Sequence, residues 1–241
     1  MSPPAGLFIT GSDTGVGKTT IGVGLARIAR RRGRIPIPFK PVETGCAPDP
    51  SDARRLWEAA RPPTSLAETC PFPFPLPAAP AAAATEAGVR LDPIDLVGRA
   101  HAIATRGDFL LVEGAGGLLV PYAAASTNAD LAAALGLPVL VVGRTALGTI
   151  NHVSLTLAEL QRRQIPLAGV VLVKTSERPE AHEISNANLI EAVSGRRPLG
   201  TLPFLLSTDL NDPDRVADAL ATALPLEALS RLLAETPGSG R

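Results

Sequence analysis

The sequence has little of several features that would each point to a class of protein. Its 241 residues include two cysteines, Cys46 and Cys70, which is too few for a disulfide framework and does not match a metal-binding pattern. Acidic and basic residues number 23 each, and a net charge of zero argues against nucleic acid or an anionic membrane as the main partner. No apolar run approaches the length of a membrane span, and residues 1–4 do not begin a signal peptide. We therefore expect a cytoplasmic protein.

Lysine is also scarce. Of the 23 basic residues, only Lys18, Lys40 and Lys174 are lysines. A lysine carries a compact ammonium group on a flexible stem, whereas an arginine carries a planar fork. In a chain that prefers arginine, the two lysines that lie in glycine- or proline-marked segments at predicted strand ends indicate a functional site.

What the sequence does contain is an alternation of short apolar runs and helical patterns. This alternation predicts an α/β fold in which a mostly parallel sheet carries helices on both faces. We expect one domain over 1–236 and a disordered tail at 237–241. Strands are predicted at 6–10, 35–40, 109–113, 138–143, 167–173 and 198–202, and helices at 18–32, 52–61, 93–106, 128–135, 150–163, 182–194, 213–223 and 225–234.

Two proline-marked segments depart from this pattern. Pro36 and Pro38 lie in the second predicted strand, and their missing N–H groups face the same side, so we predict that this strand is poorly paired on one flank. Residues 71–80 carry five prolines and are predicted to form an extended loop. The alanine run at 81–84 resembles a short helix.

The most informative segment reads Gly-Ser-Asp-Thr-Gly-Val-Gly-Lys-Thr-Thr at residues 11–20 and follows the apolar run 7–10. A short strand, a glycine-rich turn and a helix start form a cradle for nucleotide phosphates, because backbone N–H groups and the helix dipole face the phosphate oxygens. In such a motif Lys18 reaches the β- and γ-phosphates and the hydroxyl of Thr19 holds Mg²⁺. The glycine spacing is one residue longer than the usual pattern, and a glycine-rich turn without a ligand is the alternative.

Two further segments end predicted strands, at the edge of a parallel sheet where ligands bind. Lys40 would share the crevice with the phosphate cradle, and Thr44 could hold a polar substrate group. Glu113 ends an apolar strand and is placed to bind Mg²⁺, and the glycines at 114, 116 and 117 allow a close approach of the backbone to a ligand. The alternatives are a surface lysine before a proline turn and an acid that caps its own turn.

Two helix starts add candidate groups. Asp52 is either a second Mg²⁺ ligand or the N-cap of its helix. The segment 148–152 opens a helix whose free N–H groups could bind a carboxylate. His152 lies at the same helix start and is interpreted as structural.

In order along the chain, residues 14–19, 40–45, 112–117 and 147–152 resemble the dethiobiotin synthetase family, and the similarity runs from residue 6 to about 205. Members close a cyclic urea on 7,8-diaminononanoate with CO₂ and ATP, through a carbamate and a carbamic-phosphoric anhydride, giving dethiobiotin, ADP and phosphate. The resemblance implies a P-loop NTPase-like fold, a cyclo-ligase of biotin synthesis, ATP as co-substrate, Mg²⁺ as cofactor and CO₂ or bicarbonate as a further substrate. It also implies a homodimer in which the substrate carboxylate meets the helix start at 148–151 of the partner subunit.

The resemblance also implies a role for each matching residue. Lys18 and Lys40 act as the catalytic cations that offset the repulsion between an anionic carbamate and a triphosphate. Thr19, Asp52 and Glu113 are implied as the Mg²⁺ ligands. The implied nucleotide-binding residues are Gly15, Val16, Gly17, Lys18, Thr19, Thr20, Asp52, Glu113, Gly114, Ala115, Gly116, Pro203, Phe204 and Leu205, and the implied substrate-binding residues are Thr14, Lys40, Thr44, Gly117, Gly148, Thr149, Ile150 and Asn151.

One position departs from the family pattern. Members often carry Asn-Asp after the strand at 167–172, and the asparagine amide reads adenine, whereas this chain has Val173 and Lys174. Valine cannot make that bidentate contact. We therefore expect the protein to tolerate nucleoside triphosphates other than ATP.

Three other functions fit parts of the pattern. A partition- or positioning-type switch ATPase would carry an extra lysine four residues before the Gly-Lys pair of the loop. Gly17 and Lys18 form that pair here, and this chain has Asp13 at the position of the extra lysine. An amidoligase of corrinoid synthesis would be expected to include a glutaminase domain with a catalytic cysteine. A nucleotide-binding module without activity would bind ATP and release no phosphate.

Overall fold

Six parallel strands form the central sheet of the protein, for which a computed structural model describes residues 4–46, 49–123, 125–178 and 183–233. The strands within these ranges are β1 (Gly6–Gly11), β2 (Pro36–Phe39), β3 (Val42–Thr44), β4 (Phe72–Phe74), β5 (Phe109–Gly117), β6 (Pro121–Ala123), β7 (Ser126–Thr127), β8 (Val139–Arg144), β9 (Leu167–Val173) and β10 (Gly200–Leu202). The helices are α1 (Lys18–Arg31), α2 (Ser51–Ala60), α3 (Leu66–Thr69), α4 (Pro80–Glu86), α5 (Pro93–Ala104), α6 (Asn128–Leu135), α7 (Thr149–Arg162), α8 (Glu183–Ser194), α9 (Ser207–Leu210), α10 (Pro213–Ala223) and α11 (Leu226–Leu232).

The strand order across the sheet is β10-β9-β8-β1-β5-β2. Every pairing in this sheet is parallel, so the carboxyl ends of its strands meet at one edge. β1 lies between β8 and β5, which brings the turns after these three strands together. A ligand that binds beyond β1 is therefore flanked by the ends of its two neighbours.

Helices cover both faces of the sheet because side chains alternate along each buried strand. In β1, Phe8 packs into one hydrophobic cluster, whereas Leu7 and Ile9 pack into the other. The first cluster includes buried residues of α4, α5, α6, α7 and α8, and the second includes buried residues of α1, α2, α10 and α11. The predicted α/β class, with a mostly parallel sheet and helices on both faces, is confirmed.

The proline prediction for the second strand is confirmed. In the described part of the chain, β2 pairs with β5 and has no strand on its other side within the six-stranded sheet. An edge position tolerates Pro36 and Pro38, since a missing N–H group costs no ladder hydrogen bond there.

The prediction of an extended loop at 71–80 is wrong in part. Phe72–Phe74 forms β4, which pairs in parallel with β3, and Pro80 already begins α4. A strand of three residues that contains a proline is too short for period-2 alternation to reveal it. The short helix predicted at 81–84 is present within α4, and the tail predicted at 237–241 lies outside the described residues.

Both cysteines are free in the described structure. Burial raises the pKa of Cys46 to about 11 and that of Cys70 to about 12. Thiols with raised pKa values are poor nucleophiles at neutral pH.

Candidate active site

The turn between β1 and α1 has the backbone geometry of a phosphate cradle. Gly17 is the N-cap of α1 and has a left-handed backbone with φ 96°, and Gly15 is also left-handed with φ 70°. A Cβ atom on Gly17 would lie 3.0 Å from Cγ1 of Val173. Both the backbone angle and this close contact therefore require glycine at position 17.

The cradle opens into a cavity of about 290 Å³. This phosphate cavity joins segments that are far apart in the sequence: the β1–α1 turn, the end of β2 with β3, the start of α2 and the end of β5. Its lining residues are Thr14, Gly15, Gly17, Lys18, Thr19, Thr20, Lys40, Val42, Glu43, Thr44, Asp52, Arg55, Ala115 and Gly116.

Lys40 lies within a buried network of ionic groups at this cavity. Its ammonium group makes a short ion pair with Oε1 of Glu113 and lies 3.3 Å from Oδ2 of Asp52. The hydroxyl of Thr19 donates to the same Glu113 oxygen over 2.9 Å. Four residues, each from a different predicted segment, are thus in contact.

The charges in this network set the protonation of its members. Burial alone would lower the pKa of Lys40, but the charges of Glu113 and Asp52 together raise it above its usual value. Burial would raise the pKa of Asp52, but the Lys40 charge and hydrogen bonds from Lys40 and Thr19 hold it below its usual value. At neutral pH Lys40 is therefore a cation and Asp52 an anion.

Lys18 lies on the same cavity and has a different electrostatic environment. Burial lowers its pKa; the nearby charge of Glu113 works against this shift, and that of Lys40 adds to it. Its ammonium group donates to the carbonyl oxygen of Asp13 over 3.2 Å. A polyanion in the cavity would supply the countercharge that Lys18 lacks.

The oxygen atoms beside Lys40 fit a magnesium ion. Thr19, Asp52 and Glu113 offer a hydroxyl and two carboxylates, the hard oxygen ligands that Mg²⁺ prefers. Oε2 of Glu113 is buried and has no hydrogen-bond partner among the described residues, which leaves this oxygen available to a cation. Within the same ranges, no cluster of three or more histidine, cysteine, aspartate or glutamate residues could bind a metal by itself, so such an ion would also need water or phosphate oxygens.

Asp52 is not the N-cap of its helix. Helix α2 begins at Ser51 with Pro50 as the N-cap, and no side-chain oxygen of the N-cap residue accepts a hydrogen bond there. Instead, the buried carboxylate of Glu43 accepts from the N–H groups of Asp52 and Ala53, over 3.0 and 2.9 Å. Since Glu43 accepts the free N–H groups at the start of the helix, the carboxylate of Asp52 is not needed as a cap, and it faces Lys40.

The turn that ends β5 is fixed by side chains behind it. The Asn128 amide donates to the carbonyl oxygens of Ala115 and Gly117, over 2.8 and 2.6 Å. The N–H group of Ala115 donates to the Tyr122 hydroxyl over 3.2 Å. These contacts hold the stretch of the turn that borders the phosphate cavity.

A second cavity, of about 430 Å³, adjoins the first. Thr14 borders both cavities. The remaining lining residues of the second are Ser12, Asp13, Gly117, Leu118, Leu119, Val120, Pro121, His152, Leu155, Thr156 and Glu159. Its mixed apolar and polar walls suit an aliphatic chain with polar ends.

Several predicted residues lie elsewhere. Gly148, Ile150 and Asn151 line a separate groove beside α7, and Thr149 is buried at the start of that helix. Val16 is fully buried, and Gly114 lies against Asn128. Residues 203–205 follow β10 and are absent from the lining of the phosphate cavity.

Comparison with known proteins agrees with the sequence motifs. A family model described as an AAA domain matches residues 5–211. The ATP-dependent dethiobiotin synthetase BioD of Anaeromyxobacter dehalogenans strain 2CP-C is 47% identical over 222 residues, covering 91% of this chain and 96% of that protein. The enzyme of the same name from Bacillus thuringiensis strain Al Hakam is 38% identical over 202 residues, covering 83% and 84%.

The chain belongs to the dethiobiotin synthetase family.

Solved structures place this dethiobiotin synthetase family member in a wider fold group. The MinC:MinD cell division complex of Aquifex aeolicus gives a TM-score of 0.57 at 13% identity, covering 98% of both chains. A ParA family ATPase from Chlorobium tepidum TLS gives 0.51 at 15% identity, covering 95% of this chain and 96% of that one. At these identities the likeness shows the fold alone, which is the predicted P-loop NTPase-like fold.

The phosphate cavity of this dethiobiotin synthetase family member is also lined by Val42, Glu43 and Arg55. The sequence motifs predicted no role for these three residues. Glu43 lies inside the 40–45 segment, next to Thr44, and its function as a remote helix cap depends on the tertiary fold. Arg55 lies three residues after Asp52, so helical spacing would have placed it on the same face as that carboxylate.

Proposed function

We propose that the protein is an ATP-dependent dethiobiotin synthetase, which closes the cyclic urea of dethiobiotin on 7,8-diaminononanoate. The observation that carries this proposal is the convergence of Lys18 and Lys40 on one cavity with the oxygen ligands Thr19, Asp52 and Glu113. This arrangement occurs in a chain that is 47% identical to a named dethiobiotin synthetase over most of its length.

The reaction brings together two anions that repel each other. One amine of the substrate attacks CO₂ and loses a proton, which gives a carbamate. A carbamate oxygen then attacks the γ-phosphorus of ATP, ADP leaves, and a mixed carbamic-phosphoric anhydride forms. The second amine attacks the carbonyl carbon and loses a proton, phosphate departs with the C–O electron pair, and the ring is closed.

The protein's part in this sequence is to position and neutralise charge. Backbone N–H groups of residues 15–20 cradle the phosphates, and Lys18 pairs with their oxygens. Lys40, held in place by Glu113 and Asp52, presents an ammonium group to the carbamate and the transferring phosphoryl group. No nucleophilic side chain is needed, because the substrate supplies every nucleophile.

Magnesium would be held by Thr19, Asp52 and Glu113, where it supplies neutralising charge to the phosphate oxygens. The carboxylate of Glu113 is already oriented by Thr19 and Lys40. Asp52 keeps its negative charge because its pKa is lowered.

The diamine end of the substrate belongs near Thr44, Thr14 and Gly116, which border the phosphate cavity. Its aliphatic chain fits the second cavity, which Thr14 joins to the first. The helix start at 148–151 lies on a separate groove of the same chain, and a partner subunit would bring this helix start to the substrate carboxylate. We therefore include a homodimer with shared sites in the proposal.

The deciding experiment measures phosphate release and product by mass spectrometry with MgATP, bicarbonate and 7,8-diaminononanoate. We expect phosphate release that requires the diamine and bicarbonate together, with one dethiobiotin formed per phosphate. A switch ATPase would release phosphate without the diamine, and a binding module would release none. Either result would refute the proposed function.

No helix in the described ranges combines the length and apolar character needed to cross a membrane.

A further inference from the structure

Arg55 is the one arginine on the wall of the phosphate cavity, within the described residues. It lies on α2, one helical turn after Asp52, so the two side chains share a face of the helix. Both residues line the phosphate cavity.

The guanidinium group of Arg55 also contacts a segment outside the cavity lining. Its Nη2 donates to the carbonyl oxygen of Leu210 over 3.1 Å. Leu210 ends α9, which follows the 203–205 segment. Arg55 therefore links α2, on the side of Asp52, to the segment beyond β10.

Most of the hydrogen-bonding capacity of Arg55 is unused. A guanidinium group has five N–H donors, and the hydrogen bond to Leu210 is the only one that it makes in the described part of the structure. Arg54, the next residue along the helix, instead pairs with the exposed carboxylate of Asp49 over 3.0 Å. The two adjacent arginines thus face different surroundings.

The charge distribution in the cavity leaves Arg55 available to an anion. Lys40 is paired with Glu113 and Asp52, and Glu43 accepts the N–H groups at the start of α2. Lys18 and Arg55 are the cations of the cavity wall that form no ion pair with a described residue. A planar guanidinium group binds phosphate oxygens in a bidentate manner.

We propose that Arg55 binds the phosphate groups of the nucleotide directly, as a third cationic contact beside Lys18 and Lys40. This inference rests on the proposed function only in taking a nucleotide as the ligand of the cavity. The hydrogen bond to Leu210 fixes one nitrogen of the guanidinium group, and its remaining donors are available for phosphate oxygens.

Calorimetric titration of MgADP and of a non-hydrolysable MgATP analogue tests this inference. We expect Arg55→Ala to raise the Kd of both nucleotides about tenfold and to weaken their salt dependence, because one charge contact is lost. Arg54→Ala, the matched control, should bind like the wild type. A Kd for Arg55→Ala within about twofold of the control would overturn the inference.

Two conservative variants separate a phosphate contact from a purely structural link to Leu210. Arg55→Lys keeps the charge, whereas Arg55→Gln keeps an N–H donor without charge. We expect lysine to recover part of the lost affinity and glutamine to recover none. Recovery by glutamine equal to that by lysine would show a structural link and would contradict the inference.

The same titrations distinguish this inference from the proposed function. If the wild type binds nucleotide but forms no dethiobiotin, the proposed reaction is wrong. The role of Arg55 is then decided by the Kd values of the Arg55 variants alone. If the wild type binds neither nucleotide, both are wrong.

Discussion

At the scale of single residues, Lys40 has the most demanding position in the protein. Its ammonium group is buried against Glu113 and Asp52, yet in the proposed reaction it also acts on the substrate. We expect Lys40→Ala to lower kcat on the order of 10²–10³-fold, since one preorganised cation at the reacting oxygens is lost. The affinity for MgADP should change much less, because the cradle and Lys18 remain.

The control for this variant is stability. Removing Lys40 leaves the buried Glu113 without its partner, and breaking a buried pair costs about 3–5 kcal/mol. Thermal melting must therefore accompany the kinetics, with assays run well below the Tm of the variant. Turnover equal to the wild type in a folded variant would remove Lys40 from the mechanism.

The lowered pKa of Lys18 leads us to expect that the Kd for nucleotide depends on pH. Burial lowers its pKa, and a bound polyanion would raise it again, so binding takes up a proton above the lowered pKa. The Kd of MgATP should rise with pH from the point where free Lys18 begins to lose its proton. Titrations from about pH 8 to pH 10.5 in buffers of different ionisation enthalpy measure this uptake.

Lys18→Arg is the matched variant, since an arginine stays charged over this whole range. It should show weaker binding and a flat pH profile. A slope that persists in Lys18→Arg would assign the proton to another group.

The valine at position 173 leads to a prediction about nucleotide selectivity. Its side chain is nearly buried and packs against Gly17, and it offers no polar group to a base. We expect kcat/KM values for CTP and GTP within about tenfold of the value for ATP, because no side-chain amide at this position forms hydrogen bonds with adenine. A preference for ATP of more than about a hundredfold would contradict this prediction and would point to readout by other groups.

At the scale of elements, Asn128 fixes the turn at the end of β5 from the start of α6. Replacing its amide by the apolar side chain of Asn128→Leu removes a donor from the carbonyl oxygen of Ala115 and leaves that of Gly117 with the N–H group of Val120 alone, at a cost of about 1–3 kcal/mol. We expect a clear loss of stability in chemical denaturation, together with a raised KM for the diamine. Tyr122→Phe removes one hydrogen bond to the same turn and should have a smaller effect.

Comparison of these two variants tests whether the turn depends on Asn128. If Asn128→Leu melts like the wild type and its KM is unchanged, the carbonyl oxygens of Ala115 and Gly117 are not held by this side chain. The Tyr122→Phe variant then shows how much the stability and the KM change when a different contact to the same turn is removed.

The longer elements were predictable, whereas several of the shortest ones were not. The runs at 109–113 and 138–143 are buried strands with β-branched or leucine-rich sequence, and both appear as β5 and β8. The pair β3 and β4 has three residues in each strand, too few for a period to be read. Such strands form because the surrounding fold aligns them, which no local pattern encodes.

The same distinction applies inside the site. The glycine-rich loop and the acid in β5 could be predicted because motif chemistry is local. The cap that Glu43 provides to α2 joins residues nine and ten apart in the chain, and local sequence left Asp52 between two roles. The contact between β3 and the start of α2 shows that Asp52 is not the N-cap.

At the scale of the whole molecule, the strand order explains why distant segments share one site. β1 lies between β5 and β8, so the phosphate cradle is next to Glu113. The order could not be read from the alternation of strands and helices, because several orders satisfy the same connections. Knowing the family would supply it, whereas periodicity alone would not.

The helix start at 148–151 leads to a prediction about assembly. It lines a groove beside α7, separate from the phosphate cavity of the same chain, and Leu147 and Leu155 nearby are 82% and 62% exposed. If a partner supplies this helix start, each site combines residues of two subunits. Asn151→Glu, which places a negative charge where the substrate carboxylate would bind, and Lys40→Ala should then each inactivate the pure homodimer.

Mixing and refolding the two inactive variants in equal amounts should restore activity. In a mixed dimer, one site receives both altered residues, whereas the other combines an intact Lys40 with an intact helix start. Random pairing makes half of the dimers mixed, so about a quarter of the wild-type activity is expected, with the dimer checked by light scattering. Mixtures that stay inactive although mixed dimers form would show that each site is built from a single chain.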